Sequence, residues 1–145
     1  MKGFTLIELM AVMVIAAVMM AVLIPRFSSD VLWKVKSYST AKRIASYLIY
    51  TRSLAINTSR DHKIEFMPSE GPFTKFEIWK EFEGGWAKVE QGNLPVDVNI
   101  TGNSQFIFQP LGGTTSGGEI HVIKGEYHYV VDVDPIIGRI EVREE

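Results

Sequence analysis

The sequence predicts an α+β protein in which a long N-terminal hydrophobic helix, first membrane-spanning and then stalk-like, is followed by a small antiparallel β-sheet head. Three observations carry this expectation. From Phe4 to Ile24 run 21 residues, of which only Thr5 and Glu8 are polar. Apolar residues then recur at helical spacing as far as Ile56. Beyond His62 the chain turns to short β-like runs with turn signals between them.

Composition narrows the classes further. With 145 residues, 46% of them hydrophobic, the chain can build one compact domain and an appendage. Cysteine is absent, which excludes disulfide scaffolds, Cys-ligated zinc, iron–sulfur clusters and thiol nucleophiles. The net charge of −2 gives no global argument for nucleic acid or an anionic membrane. Its distribution is uneven: residues 26–60 hold seven bases against one acid, Asp30, and residues 61–145 hold seven bases against fifteen acids. A basic arm on an acidic body can attract itself or its neighbours, or the two can be solvated faces of one domain.

As a helix, residues 4–24 would be about 31 Å long, close to the hydrocarbon thickness of a bilayer. A cleaved signal peptide has an apolar region of only about 7–15 residues and a small-residue cleavage site. Here the run ends in Leu23-Ile24-Pro25-Arg26 without such a site, so a retained membrane helix is expected. An acid at mid-helix depth costs about 2.5–3.5 kcal/mol on insertion scales, which makes Glu8 a functional candidate. Alternatively, Glu8 lies near the helix end and snorkels to the interface. Arg26, Lys34 and Lys36 follow the run while Lys2 precedes it, so charge counting alone leans weakly towards a cytoplasmic body.

Pro25 predicts a kink or break, and Ser28, Ser29 and Asp30 offer caps for a new helix over the 25–60 segment. Val31, Val35, Tyr38, Ala45, Ile49 and Ile56 share one helical face, widened by Ala41, Leu48 and Ala55. Tyr47, Tyr50 and Leu54 lie off that stripe, so the later turns are expected to touch two neighbours. The head, residues 61–145, reads as strands at 62–67, 73–82, 86–91, 96–100, 105–109, 119–123, 126–133 and 138–143. Glu83-Gly84-Gly85 and Lys124-Gly125 read as hairpin turns, and 112–118 as a flexible glycine loop. That loop lacks a phosphate-binding pattern.

Little else points to chemistry. With Lys124-Gly125 as a two-residue turn, His121 and His128 would face each other. No third ligand is evident, and a solvent-facing pair is preferred to a metal site. Asp132 and Asp134 read as turn acids rather than calcium ligands, because Pro135-Ile136-Ile137 breaks the oxygen-ligand pattern. Trp33, Trp79 and Trp86 read as core or interface aromatics. No catalytic constellation follows from spacing, so an enzyme is not expected and no cofactor is assigned.

Two stretches resemble a known family. Met1-Lys2-Gly3-Phe4-Thr5-Leu6-Ile7-Glu8-Leu9 resembles the processing site of type IV pilins and of type II secretion pseudopilins. Phe108-Gln109-Pro110-Leu111-Gly112, Gly118-Glu119-Ile120-His121-Val122, Tyr129-Val130-Val131-Asp132-Val133 and Gly138-Arg139-Ile140-Glu141-Val142 resemble the GspH/FimT minor pilins, Gly138, Arg139, Ile140 and Val142 forming the last motif.

The resemblance implies a leader over 1–3, cleavage by a prepilin peptidase between Gly3 and Phe4, N-methylation of Phe4 and a filament-core helix over 4–24. It also implies an assembly role for Glu8 and a helix kink at Pro25. The expected protein is a single-pass subunit of the bacterial inner membrane with a periplasmic head, surrounded by lipid until it joins a filament. Its partners would be other pilins or pseudopilins in a helical filament, the peptidase and methyltransferase, and an inner-membrane assembly platform. The expected role is a GspH-type minor pseudopilin supporting export of folded proteins, with a FimT-like minor pilin in pilus priming or DNA uptake as the alternative. A membrane-anchored periplasmic enzyme is a more distant alternative. DNA-binding FimT-like members carry Gly-Arg-x-Arg, whereas here Glu141 replaces the second arginine, so DNA is not an expected partner.

Overall fold

The computed structural model describes residues 5–23 and 29–145. Gly3, Phe4 and Pro25 lie outside the described residues. The chain divides into two units, Met1–Leu32 and Trp33–Glu145.

Helix α1, Leu6–Leu23, has 18 residues, about 27 Å of rise. Phe4 and Ile24, the ends of the 21-residue span expected from the sequence, lie outside the described residues. Among the described residues, no helix is long and apolar enough to cross a membrane. The helix begins at Leu6 because Thr5 caps it.

Helix α2, Ser29–Thr58, carries the start of the second unit. Eight strands follow: β1 His62–Met67, β2 Lys75–Phe82, β3 Gly85–Asn93, β4 Asn99–Gly102, β5 Gln105–Phe108, β6 Gly118–Lys124, β7 Tyr127–Val133 and β8 Ile140–Glu144. They form two four-stranded antiparallel sheets, ordered β3-β2-β1-β5 and β4-β6-β7-β8. The fold is α+β as predicted, but its head holds two sheets.

Alternation sets the inner face of each sheet. In the first sheet, Ile64 is opposite Ile78 and Phe106, and Phe66 is opposite Phe76. In the second, Ile120 is opposite Val131, and Val122 lies between Ile100 and Tyr129. These residues and α2 share one buried cluster. Tyr47 of α2 stacks on Phe76 at 4.1 Å between centroids, and Tyr38 meets Tyr129 edge-on at 5.5 Å.

The buried face of α2 matches the stripe read in the sequence only in part. Ala41, Ile44, Ala45, Leu48 and Ala55 are buried, with the hydroxyl residues Ser37, Thr40 and Thr51. Val31, Val35, Tyr38, Ile49 and Ile56 are all exposed, Val35 at 59% and Ile49 at 51%. The Thr51 hydroxyl satisfies itself by donating to the Tyr47 carbonyl at 2.8 Å. Hydropathy spacing thus found Ala41, Ala45, Leu48 and Ala55 but missed the buried hydroxyls and carried the stripe onto the exposed side at Val31, Val35, Tyr38, Ile49 and Ile56.

Candidate functional site

The first turn of α1 is a reciprocal cap. The Thr5 N–H donates to Glu8 Oε2 at 3.0 Å, and the Thr5 hydroxyl donates to the same oxygen at 3.0 Å. The Glu8 N–H points back at Thr5 Oγ1 at 3.4 Å. Thr5-Leu6-Ile7-Glu8 is thus a capping box, in which the acid also complements the positive end of the helix. Both bonds fall on Oε2, so among the described residues Oε1 of Glu8 has no hydrogen-bond donor. Thr5 was missed in the sequence reading, although Thr-x-x-Glu ahead of an apolar run is a known start signal.

Beyond that cap α1 has no polar stripe. Leu6, Ile7, Leu9, Met10, Val12, Met13, Val14, Ile15, Val18, Met19 and Met20 are all exposed, from Leu6 at 78% to Val18 at 58%. A helix apolar on every side is suited to a membrane or to the interior of a larger assembly.

In the second unit, basic residues of α2 reach acids of β8 and of the β3–β4 connection. Lys34 pairs with Glu144 at 3.0 Å, and Lys36 and Lys124 both pair with Asp97. The lysines beside Asp97, Lys124 foremost, hold its carboxyl well below the usual carboxylate range. The basic arm and acidic body therefore attract each other within one chain.

The C-terminal motif is structural in its placement. Gly138 has φ +62°, and a Cβ there would lie 2.4 Å from the Gly112 carbonyl oxygen. Arg52 of α2 donates to that carbonyl at 2.8 Å and to the Ile137 carbonyl at 3.2 Å, tying both loops to the helix. The 112–118 stretch, expected to be flexible, is pinned further by buried Thr114, whose hydroxyl donates to Ile107 O at 2.8 Å. Ile140 and Val142 sit opposite Val133 and Val131. Arg139 is exposed, 3.3 Å from Glu141. Arg52 had no sequence signal of its own, because its partners are carbonyls distant in the chain.

Asp134 accepts the N–H groups of Ile136 and Ile137 at 2.8 and 3.0 Å, which lower its pKa, that of Ile137 foremost. His62 is fully buried beside the Arg60 carbonyl, at 3.1 Å, and burial lowers its pKa. Trp33 and Trp86 lie at the surface, and no tryptophan belongs to the buried cluster.

His121 and His128 are brought together, but not in the expected register. The β6–β7 turn is Gly125-Glu126, with Gly125 at φ +61°, so His121 lies opposite Val130 and His128 opposite Ile123. The histidines are diagonal neighbours on the outer face, His121 Nδ1 3.0 Å from His128 Nε2. Glu145 Oε2 lies 3.2 Å from His128 Nδ1, and Glu119 Oε2 lies 3.8 Å from His121 Nε2. His121, His128 and Glu145 offer ligand atoms within 4.8 Å of one another. Glu145, which the sequence reading does not place near the histidines, is brought beside His128 by pairing with β7.

Residues 1–24 match the family described as the prokaryotic N-terminal methylation motif. No curated protein matches the chain. Among solved structures, the type IV minor pilin FimU of Pseudomonas aeruginosa is similar at TM-score 0.62 and 16% identity, over 73% of this chain and 91% of that one. The minor pseudopilin EpsH of the Vibrio cholerae type 2 secretion system is similar at TM-score 0.63 and 11% identity, over 75% and 97%. At these identities the likeness shows the fold. In its N-terminal motif and in the fold of its head, the chain is type IV pilin-like.

Proposed function

We propose that this chain is a minor pilin-like structural subunit that assembles through α1 and displays the head outside the filament core, with no enzymatic role. The observation that carries the reading is an all-round apolar helix opening on Thr5 and Glu8. A prepilin peptidase cuts between Gly3 and Phe4, and Phe4 is then N-methylated. Before assembly the subunit is anchored in the inner membrane with its head in the periplasm. An incoming Glu8 carboxylate is attracted to the cationic Phe4 amine of a subunit already in place. Bringing the two charges together in an apolar setting relieves the cost of each. Partners are other pilins or pseudopilins and an assembly platform in the membrane.

Within that reading we favour a GspH-type subunit of a type II secretion pseudopilus over a FimT-like pilin used in DNA uptake. The only base of the C-terminal motif, Arg139, is paired with Glu141. From Glu119 onward seven acids outnumber three bases, a surface that repels phosphate. The test is intact mass and N-terminal peptide analysis of the membrane-extracted protein. The expected species begins at N-methyl-Phe4, and Gly3→Leu leaves uncut precursor. A dominant species that begins at Met1, or one cut after Ile24, sinks the pilin reading.

A further inference from the structure

We propose that the outer face of the β6–β7–β8 sheet is a binding site for a first-row divalent metal such as Zn²⁺, with His121, His128 and Glu145 as its ligands. The site is independent of the assembly role proposed above. Two observations point to it. The inner ring nitrogens, His121 Nδ1 and His128 Nε2, face each other at 3.0 Å. Their outer nitrogens each face a carboxylate, Glu145 at 3.2 Å from His128 Nδ1 and Glu119 at 3.8 Å from His121 Nε2.

This pattern has a chemical consequence. Glu145, 3.2 Å from His128 Nδ1, favours a hydrogen there, which leaves the lone pair of His128 Nε2 facing His121 Nδ1. Without a metal, a hydrogen on His121 Nδ1 fills the 3.0 Å gap as a hydrogen bond to His128 Nε2; with His121 carrying that hydrogen on Nε2 instead, a metal ion takes its place between the two nitrogens. Two nitrogens on one tetrahedral Zn²⁺ at about 2.0–2.1 Å are separated by about 3.3 Å. The rings therefore need to part by only a few tenths of an ångström, roughly, for a metal to enter.

The Glu145 side chain is 57% exposed, so its carboxylate is free to swing from the outer nitrogen to the metal as the third donor. Water completes the shell on the solvent side. Imidazole with carboxylate suits zinc, copper and nickel rather than calcium or magnesium. Glu119 is held by Arg143 and lies 3.8 Å from His121 Nε2, so it is not counted among the ligands. All three strands converge here, and a metal would staple β6, β7 and β8 at one point.

The test uses the full chain without a histidine tag, in detergent and stripped with a chelator. Calorimetric titration with ZnCl₂ should give one ion per chain. His121→Ala and His128→Ala should each weaken binding at least 100-fold, and Glu145→Gln about 10-fold. All three side chains are surface groups, and circular dichroism reports whether the variants fold. A second measurement needs no variant: Cu²⁺ bound to the wild-type chain should show electron-paramagnetic coupling to two imidazole nitrogens. No saturable Zn²⁺ binding, unchanged affinity in folded His121→Ala, or coupling to fewer than two imidazoles would each overturn the proposal.

Discussion

Helix α1 and the interior of the head are built from the same side chains with opposite fates. Ile15 is 60% exposed while Ile64 is wholly buried, and Val14 and Val131 differ in the same way. Head residues alternate or follow a helical face, so they find complementary partners in the same unit. Those of α1 cover every side of one helix, where no single packing surface could bury them. The head thus buries its apolar residues within its own unit, whereas α1 by itself has no face that hides its own.

The largest expected effect sets the two regions against each other. Phe106→Ala, in the buried cluster, should cost about 3–5 kcal/mol of head stability in urea unfolding. Ile15→Ala should change it by less than about 0.5 kcal/mol. A comparable loss from both would break the comparison. Next is Arg52→Ala, which strips the donors from the Gly112 and Ile137 carbonyls and should cost about 1–3 kcal/mol. Arg52→Lys should recover only part of it, because a single ammonium does not reproduce the guanidinium fork.

Acid should weaken the head through His62. Burial holds its pKa below the unfolded value of about 6.5. On acidification the unfolded chain therefore takes up the proton first. The contribution is complete above about pH 6.5 and is lost as the pH falls through the folded pKa. Melting temperatures should be level from pH 8 to 7 and fall between roughly 6.5 and 5, with a shallower fall in His62→Asn. A profile unchanged by that substitution removes His62 as the cause.

The smallest energetic effects are at the start of α1, and they separate two roles of one residue. Thr5→Val should remove the cap, about 1 kcal/mol of local helix stability, and speed amide exchange in the first turn. Glu8→Gln keeps a capping side chain but loses the charge. If assembly depends on charge, Glu8→Gln impairs it and Thr5→Val does not. The reverse result makes Glu8 a cap and nothing more.

Much of the head was legible because its strands advertise themselves locally. His62-Lys63-Ile64-Glu65-Phe66 alternates strictly, and β1 occupies the range predicted for it. The division into two sheets was not legible, since β5 returns to β1 and β4 crosses to β6, pairings that no local pattern encodes. The inner face of α2 was legible at Ala41, Ala45, Leu48 and Ala55, but its buried hydroxyls Ser37, Thr40 and Thr51 carry no hydropathy signal, and Val35 and Ile49 of the same stripe are exposed. A one-residue shift of the turn from Lys124-Gly125 to Gly125-Glu126 moved His128 two positions in register. Only with β8 in place did Glu145 join it.

The central claim is that α1 meets other subunits while the head surface does not hold the filament together. Because the chain has no cysteine, single cysteines can report on each region without interference. Val14→Cys in α1 and Val96→Cys on the head are both at exposed positions. Each is labelled with a benzophenone maleimide in membranes that contain the partner pilins, then irradiated. The account predicts adducts to another pilin-like chain from Val14→Cys, reduced several-fold when Glu8→Ala is added, and little adduct from Val96→Cys. Adducts to pilin-like chains from Val96→Cys alone, or a Val14→Cys yield indifferent to Glu8, would contradict it.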